Sequence, residues 1–215
     1  MTAASVGQIV ALVPVRSLSG AKTRLGEPLD AEERTELVRA MLRRTVREAR
    51  AATGLDAVMV VSLDGELLEE ARAMGAVSFL QQRDGLNQGL EEARLAVGSG
   101  ATALMVVPVD LPGVSAAALD ALVNAAEEAR REAPDRPAVV VVPDRHGTGT
   151  NALMLVPPDA IPFRFGEGSR GAHAAAARAA GASYVELDGP LDFDLDTPAD
   201  LLEADMRGLD HEAGR

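Results

Sequence analysis

Short apolar runs rich in β-branched residues alternate along the chain with longer stretches of amphipathic character. Runs of the first kind predict strands, and amphipathic stretches with a repeat of about 3.6 residues predict helices. Strands are expected at residues 9–15, 57–62, 76–80, 102–107, 138–142, 152–156 and 183–187. Strands and helices that alternate in this way are typical of a mostly parallel sheet with helices on both faces. The sequence therefore predicts a three-layer α/β fold.

The clearest helix signal begins at Asp30, which is expected to cap a helix, with Glu33 placed to complete a capping box. The apolar stripe of this helix consists of Leu37, Met41, Leu42 and Val46. Further helices are expected at residues 66–74, 90–97, 116–131 and 172–180, and a final one begins with Thr197 as cap and Pro198 as first residue. No repeat or linker interrupts the pattern. Residues 1–207 are therefore predicted to form one domain, followed by a polar tail at 208–215.

The composition of the chain excludes or disfavours several classes of function. The 215 residues carry a formal net charge of −12, and only 2% of them are aromatic, which disfavours binding to nucleic acids or to anionic membranes. The lack of cysteine excludes disulfides, thiolate metal sites and thiol catalysis. The first residues do not have the pattern of a signal peptide, and no apolar run approaches the roughly 18 residues of a membrane span. We expect a cytoplasmic protein.

A basic loop, RSLSGAKTRL at residues 16–25, follows the first predicted strand. Arg16, Lys22 and Arg24 combine with Gly and Ser in the way that a triphosphate site requires, namely cations beside free backbone N–H groups. The GAKT sequence is not a P-loop, because that motif needs Gly directly before Lys and a second Gly five residues earlier. An ordinary solvated loop remains the alternative.

Acidic residues follow two other segments. Asp110 comes at the end of a strongly apolar strand, where a carboxylate can hold Mg²⁺ together with substrate phosphates. In DFDLDTPADL, the alternating Asp192, Asp194 and Asp196 are expected to lie on one face, where they repel each other unless solvent or a cation intervenes. A metal site is therefore favoured, although Asp110 and Asp196 also suit the capping of a turn and of a helix. The similarity to phosphatases with a DxDxT motif is weak, since the Thr falls one residue early.

Three further loops contain candidate binding residues. DRHGTGTN at 144–151 and FGEGSRGAH at 165–173 allow close backbone approach to a ligand, and the second opens a helix whose N-terminus favours an anion. Simple N-capping by Ser169 is the alternative there. The loop QQRDGLNQGL at 81–90 is of a composition that suits contacts with a base or ribose, although such polar loops are common.

Together these motifs resemble the CofC/FbiD guanylyltransferases of coenzyme F-420 biosynthesis. The matching stretches are VPVRSLSGAKTRL, the DAEERTELVRAML helix, VPVDLP, DRHGTGTNALML, FGEGSRGAH and DFDLDTPADL, which run in the family's order from about residue 9 to residue 202. DRHGTGTN followed by the pattern of Gly166, Ser169 and His173 is the most specific part. The resemblance implies a nucleotidyltransferase fold of the nucleotide-diphospho-sugar transferase (GT-A or MobA-like) type.

The resemblance also implies that GTP and Mg²⁺ are ligands, and that the acceptor is phosphoenolpyruvate or 2-phospho-L-lactate. The Ala- and Arg-rich composition is typical of actinobacterial members and favours phosphoenolpyruvate. The acceptor's phosphate is largely ionised near pH 7, so it can attack the α-phosphorus of GTP without a protein base. Passage of the product to the next enzyme of the pathway and a homodimeric assembly are compatible with the resemblance.

On this reading each candidate residue receives a role. Asp110, with Asp194 or Asp196, is expected to hold Mg²⁺, and Lys22, helped by Arg16 and Arg24, to neutralise the β- and γ-phosphates. The predicted acceptor site comprises Thr150, Gly168, Ser169, Arg170, His146 and His173. The predicted guanosine site comprises Gln82, Asp84, Gly85 and Asn87.

Two other functions remain open at this point. A molybdopterin-type nucleotidyltransferase usually carries a Gly-rich LAGGxSxRMG loop after its first strand, which is absent here. A nonenzymatic nucleotide sensor on the same scaffold would have less need of three alternating aspartates. Base specificity, the number of metal ions and the oligomeric state do not follow from the sequence.

Overall fold

The computed structural model describes residues 8–16 and 29–206. The strands are β1 Gln8–Pro14, β2 Ala57–Ser62, β3 Val77–Leu80, β4 Ala101–Val106, β5 Ala138–Pro143, β6 Thr150–Val156 and β7 Ser183–Glu186. The helices are α1 Ala31–Ala51, α2 Gly65–Ala73, α3 Leu86–Val97, α4 Ala116–Glu132, α5 Ser169–Ala179 and α6 Pro198–Met206. A 3₁₀ turn, Gly98–Gly100, follows α3. The predicted tail at 208–215 lies outside the described residues.

The strands form one sheet in the order β3-β2-β1-β4-β6-β5-β7. Pairing is parallel between β1 and β2, β1 and β4, β2 and β3, and β5 and β7. Strand β6 runs antiparallel to both of its neighbours, β4 and β5. The prediction of a mostly parallel sheet is therefore confirmed, with one reversed strand in its second half.

This topology determines where loops can meet. The carboxyl ends of β1 to β5 and of β7 point to one edge of the sheet, and the amino end of the reversed strand β6 reaches the same edge. In open α/β sheets, ligands bind in the crevice beyond this edge. Most of the loops singled out in the sequence follow these strand ends, whereas the loop at 165–173 leads into α5 after the reversed strand β6. These loops can therefore contribute to a single site.

The sheet is packed on both faces because side chains alternate along its strands. On β1, Ala11 and Val13 belong to one buried cluster and Val10 and Leu12 to the other. The first cluster is completed by apolar residues of α1, α2 and α4, and the second by residues of α3 and α5. None of the helices within 8–16 and 29–206 is long and apolar enough to cross a membrane.

Helix starts agree with the capping signals at α1 and α6, whereas α3 and α5 begin earlier than expected. Asp30 accepts from the N–H groups of Glu32 and Glu33, and the Glu33 side chain accepts from the Asp30 N–H, so the capping box is present. Helix α6 begins at Pro198, as predicted. Helix α3 was expected at 90–97 but begins at Leu86, directly after Gly85 with its positive φ of 108°. Helix α5 was expected at 172–180 but begins at Ser169, because Gly168 adopts a left-handed conformation (φ 69°) that turns the chain into the helix.

Candidate active site

A cleft of about 1060 Å³ opens at the carboxyl edge of the sheet. Its walls are built by residues that follow β1, β2, β3 and β4, by the β5–β6 hairpin, by the start of α5 and by the segment before α6. The predicted site residues that line the cleft are Arg16, Asp84, Gly85, Asp110, Thr150, Ser169, Asp194 and Asp196. A cation, several carboxylates and two hydroxyls from distant parts of the sequence therefore line the same cleft.

The basic loop is described only at its first residue. Arg16 follows β1, is exposed and lines the cleft. Lys22 and Arg24 lie outside the described residues, so their contact with a triphosphate stays a prediction.

The acidic segment before α6 has the alternation expected from its sequence. Leu191, Phe193 and Leu195 are no more than 2% exposed, whereas the aspartates between them are half-buried. Asp194 and Asp196 line the cleft, but Asp192 does not. The buried apolar side chains therefore anchor this segment in the core, and two of the alternating carboxylates line the cleft.

Close backbone contacts join this segment to the loop that follows β4. The Leu195 N–H donates to the carbonyl oxygen of Asp110 at 2.9 Å. Packing is equally tight at Gly113, where an added Cβ would lie only 1.8 Å from the carbonyl oxygen of Pro190. Asn151 at the start of β6 donates its side-chain N–H to the Leu191 carbonyl, also at 2.9 Å. The two carboxylate-bearing segments are thus held side by side.

Arg145 connects the β5–β6 hairpin to the same region. Its guanidinium pairs with Asp200, which is 2% exposed, and lies 4.8 Å from the ring centre of Phe193. Asp200 also accepts from the N–H groups of Asp196 at 2.9 Å and Thr197 at 2.6 Å. Burial alone would raise the pKa of Asp200, but Arg145 and these N–H groups outweigh it and lower that pKa. The Asp200 charge thereby positions the backbone of Asp196 beside the cleft.

The carboxylates fit a magnesium ion shared with a substrate. Among residues 8–16 and 29–206, no three His, Asp or Glu side chains are grouped closely enough to hold a metal ion by themselves. Mg²⁺ does not require such a cage, because it usually binds one or two protein carboxylates together with water and substrate phosphates. Asp110, Asp194 and Asp196 line one cleft and can supply those carboxylates.

Thr150 and Ser169 also line the cleft, and both are largely buried, at 8% and 1% exposure. His173, which was expected to bind substrate, is completely buried behind them and does not line the cleft. Its Nδ1 lies 3.0 Å from Thr150 Oγ1, and its Nε2 accepts from the backbone N–H of Arg164 at 3.0 Å. Burial, and secondarily the charge of Arg164, lower the pKa of His173 to about 4.

The start of α5 offers fewer free donors than the sequence suggested. Ser169 is the first residue of the helix rather than its cap, and Gly168 occupies the cap position without a side-chain hydrogen bond. The N–H groups of Ser169 and Arg170 already donate to the carbonyl oxygens of Gly166 and Thr148. Gly168 is exposed and does not line the cleft.

Arg170 and His146 are also placed outside the cleft. The Arg170 guanidinium makes two hydrogen bonds to Glu186, at 2.8 and 2.6 Å, and a third to the Gly147 carbonyl at 2.9 Å. These bonds engage the side chain, so the expected contact with the acceptor's carboxylate has no geometric support. His146 is exposed, and its Nε2 lies 3.3 Å from Arg145 Nε.

The loop after β3 reaches the cleft through some of its predicted residues only. Asp84 and Gly85 line the cleft, whereas Gln82 faces away and its neighbour Gln81 lies there instead. The Asn87 amide donates to the Phe165 carbonyl and accepts from the Phe165 N–H, both at 2.9 Å. Asn87 thus fastens α3 to the loop before α5, and its contact with guanosine has no support in this geometry.

Asp144 is a cleft residue that sequence reasoning did not single out. Burial on its own would raise the pKa of this carboxyl, but the N–H groups of Gly149 and Thr148 outweigh it, and the pKa lies below the usual value. The Thr148 N–H donates to Asp144 Oδ1 at 2.8 Å. An Asp three residues before Gly-Thr-Gly was the available signal, since Asp side chains commonly bond to backbone N–H groups in tight turns.

Comparisons with known proteins agree with this architecture. The family model described as "Guanylyl transferase CofC like" matches residues 9–214. A phosphoenolpyruvate guanylyltransferase of Rubrobacter xylanophilus is 45% identical over 202 residues, which cover 93% of this chain and 95% of that protein. The phosphoenolpyruvate guanylyltransferase of Sphaerobacter thermophilus is also 45% identical, over 90% of this chain and 91% of its own.

Among solved structures, a putative nucleotide-diphospho-sugar transferase from Desulfovibrio desulfuricans superposes with a TM-score of 0.69. The superposition covers 91% of this chain and 85% of that one at 16% identity. At this sequence identity the superposition is evidence for the fold alone. It confirms the predicted type of three-layer α/β fold.

Proposed function

Because the chain belongs to the family of CofC-like guanylyl transferases, we propose that it transfers the guanylyl group of GTP to phosphoenolpyruvate. The products are enolpyruvyl-2-diphospho-5'-guanosine and pyrophosphate, and the reaction serves coenzyme F-420 biosynthesis. The observation that carries this proposal is one shared cleft, which is lined by Asp110, Asp194 and Asp196 together with the hydroxyl-bearing Thr150 and Ser169. Relatives of 45% identity bear the name of this activity.

The reaction requires two anionic substrates, GTP and phosphoenolpyruvate, to be bound next to each other. A phosphate oxygen of phosphoenolpyruvate forms a bond to the α-phosphorus of GTP, and the bond from that phosphorus to the bridging oxygen of the β-phosphate breaks. Pyrophosphate leaves with the electron pair. The attacking oxygen is already ionised near neutral pH, so the protein has to position the reactants and stabilise charge rather than remove a proton.

The complete burial of the His173 imidazole is consistent with a reaction that needs no general base. Both ring nitrogens of His173 are engaged by Thr150 and Arg164, and the ring has no exposed surface. A base must come within hydrogen-bond reach of the proton that it removes. His173 lacks that access, and ionised substrate makes such a base unnecessary.

Asp110, with Asp194 or Asp196, would hold Mg²⁺ against the triphosphate. When bound, this ion would neutralise charge that develops on the departing pyrophosphate and would orient the α-phosphate. Arg16 adds a fixed positive charge at the end of β1, and Lys22 and Arg24 are proposed to extend it over the β- and γ-phosphates.

The two substrates are proposed to occupy opposite ends of the cleft. Asp84, Gly85 and Gln81 follow β3 and line the cleft, which supports a contact of this end with guanosine. Thr150 and Ser169 line the cleft at the amino ends of β6 and α5, which supports a role in binding the phosphate or carboxylate of the acceptor. The carboxylates of Asp110, Asp194 and Asp196 are proposed to act between the two substrates, where the α-phosphate must be held.

The direct test is mass spectrometry of reactions that contain GTP and Mg²⁺ with either phosphoenolpyruvate or 2-phospho-L-lactate, together with pyrophosphate release. A guanylylated product from phosphoenolpyruvate is expected. Product from phospholactate alone would retain the reaction class and change the acceptor. A folded protein that releases pyrophosphate with neither acceptor would contradict the proposal.

A matched pair of variants tests the role of the carboxylates. Asp194→Asn is expected to lower kcat by about 100-fold or more, since it removes a charge that acts in the transition state. Asp192→Asn makes the same change two residues away, outside the cleft, and is expected to leave kcat within about 2-fold. Equal effects of the two substitutions would argue against a metal site at Asp194.

A further inference from the structure

His173 lies directly behind the acceptor wall of the cleft. It is completely buried on α5, with Nδ1 3.0 Å from Thr150 Oγ1 and Nε2 3.0 Å from the Arg164 backbone nitrogen. Phe165 meets the imidazole in an edge-on contact, with ring centres 5.2 Å apart and planes at 74°. Because Asn87 fixes the backbone of Phe165 through two hydrogen bonds, the ring of His173 is held in one orientation.

These contacts define where the imidazole carries its proton. A backbone N–H can only donate, so Nε2 must present a lone pair to Arg164. A neutral imidazole has a single N–H, which is therefore at Nδ1. The low pKa of about 4 that burial gives this ring agrees with a neutral imidazole at pH 7.

The proton at Nδ1 decides how Thr150 can act. The Nδ1–H donates to Thr150 Oγ1, so the hydroxyl hydrogen of Thr150 cannot point at the imidazole. Among the described residues, Thr150 Oγ1 makes no other side-chain hydrogen bond. Thr150 lines the cleft with 8% of its surface exposed, so the cleft is the direction left for its hydrogen.

We propose that His173 is a positioning residue that makes the Thr150 hydroxyl an obligate hydrogen-bond donor to an anionic oxygen of the acceptor substrate. This inference rests on the proposed function for the identity of the acceptor, whose phosphate and carboxylate both present such oxygens. A hydroxyl that is free to rotate can accept as readily as it donates. Fixing the hydrogen favours an anion and disfavours a ligand group that itself carries a hydrogen.

The first test reads the tautomer without any reference to activity. The protein is labelled with ¹⁵N-histidine, and long-range proton–nitrogen correlations are recorded at pH 7 for the wild type and for His173→Phe, which assigns the resonance. The expected result is a neutral ring protonated at Nδ1. A ring protonated at Nε2, or at both nitrogens, would overturn the proposal.

The second test uses the separate KM values for acceptor and nucleotide. Thr150→Val keeps the side-chain shape and removes the donor, and it is expected to raise the KM for phosphoenolpyruvate about 10-fold or more, as for loss of one hydrogen bond to a charged group. The KM for GTP is expected to stay within about 2-fold. Thr150→Ser, which keeps a hydroxyl, is expected to retain most of the acceptor affinity.

The coupling between the residues distinguishes positioning from a purely structural role. His173→Phe should raise the acceptor KM alone, and adding it to Thr150→Val should cause no further rise, because the hydroxyl that His173 orients is already gone. Multiplicative effects in the double variant, or an unchanged acceptor KM in Thr150→Val, would overturn the proposal. Should His173→Phe not fold, substitution of His146 and of His211 assigns the His173 resonance of the wild type by elimination, and this tautomer and the two Thr150 variants still decide the proposal.

The proposed function and the positioning role of His173 can be rejected separately. A wild-type protein that releases no pyrophosphate with phosphoenolpyruvate would reject the proposed function, and the positioning role would fall with it as far as this acceptor is concerned. An active enzyme whose His173 is protonated at Nε2 would retain the function and reject the positioning role.

Discussion

The backbone N–H of Leu195 donates to the carbonyl oxygen of Asp110 across 85 residues of sequence, at 2.9 Å. Each partner belongs to a segment with a carboxylate in the cleft, so this bond sets the spacing between Asp110 and the pair Asp194 and Asp196. The proposed metal-assisted reaction would be sensitive to such spacing, because a displacement of about 1 Å can cost two orders of magnitude in rate. The residues that keep the two segments in contact are therefore expected to matter although they bear no charge.

Gly113 is the sharpest test of that contact. A Cβ at this position would lie 1.8 Å from the Pro190 carbonyl oxygen, so Gly113→Ala must displace the acidic segment. We expect the free energy of unfolding to fall by about 2–3 kcal/mol, together with a clear loss of kcat. Denaturant unfolding and steady-state kinetics measure the two effects. Gly65→Ala is the control, since nothing lies within 4 Å of its added Cβ and little change is expected.

Arg145 is expected to be the most costly arginine to replace among those with described ion pairs. Arg145→Gln leaves the nearly buried Asp200 carboxylate with backbone N–H partners alone, and loss of one partner of a buried pair typically costs about 3 kcal/mol. Arg131→Gln is the matched control, because its pair with Glu128 is 65% and 58% exposed and should contribute less than about 1 kcal/mol. Similar unfolding free energies for the two variants would contradict the role given to Asp200.

Local signals explain how much of the fold could be predicted. Alternating apolar runs place the strands within one or two residues of where they lie, and Asp30 with Glu33 marks the start of α1. The convergence of the loops also follows from sequence, because parallel strands send their carboxyl ends to one edge. These predictions depend on short-range periodicity and capping, which the sequence displays directly.

The direction of individual polar side chains could not be predicted in the same way. Asn87 is satisfied by the backbone of Phe165, 78 residues away, and Arg170 by Glu186, 16 residues away. Both occur in loops whose composition suits a ligand equally well. Gln81 rather than Gln82 faces the cleft because the end of β3 determines which side each of them takes. Tertiary partners decide between binding and structural roles, and local sequence does not contain them.

Thr45 gives a prediction about stability alone. Thr45 is completely buried on α1. Among the buried side-chain nitrogen and oxygen atoms of the described residues, its Oγ1 is the one without a hydrogen-bond partner. Thr45→Val removes that unsatisfied hydroxyl at nearly constant volume and is expected to stabilise the protein by about 1 kcal/mol. Thr35→Val on the same helix is the control, because the Thr35 hydroxyl is half-exposed and already donates to the Ala31 carbonyl. A melting temperature that rises for Thr45→Val alone supports this assignment.

The buried imidazole predicts how stability depends on pH. In the unfolded chain the pKa of His173 is about 6.5. In the folded protein, burial and to a smaller extent the charge of Arg164 lower this pKa to about 4. Between these values the unfolded state therefore binds more protons, and stability must fall as the pH falls. The difference in pKa corresponds to a loss of about 3 kcal/mol across this window.

Unfolding by denaturant at intervals from pH 7.5 to pH 4 measures this slope, with His173→Phe compared at each pH. The variant has no titrating group at this position, so the difference in unfolding free energy between the two proteins should shrink by about 3 kcal/mol as the pH is lowered from 6.5 to 4. Contributions of carboxylates occur in both proteins and cancel in the difference. A difference that stays constant with pH would mean that His173 takes up its proton at the same pH in the folded and unfolded states, which is incompatible with its burial and with its acceptance of the Arg164 N–H.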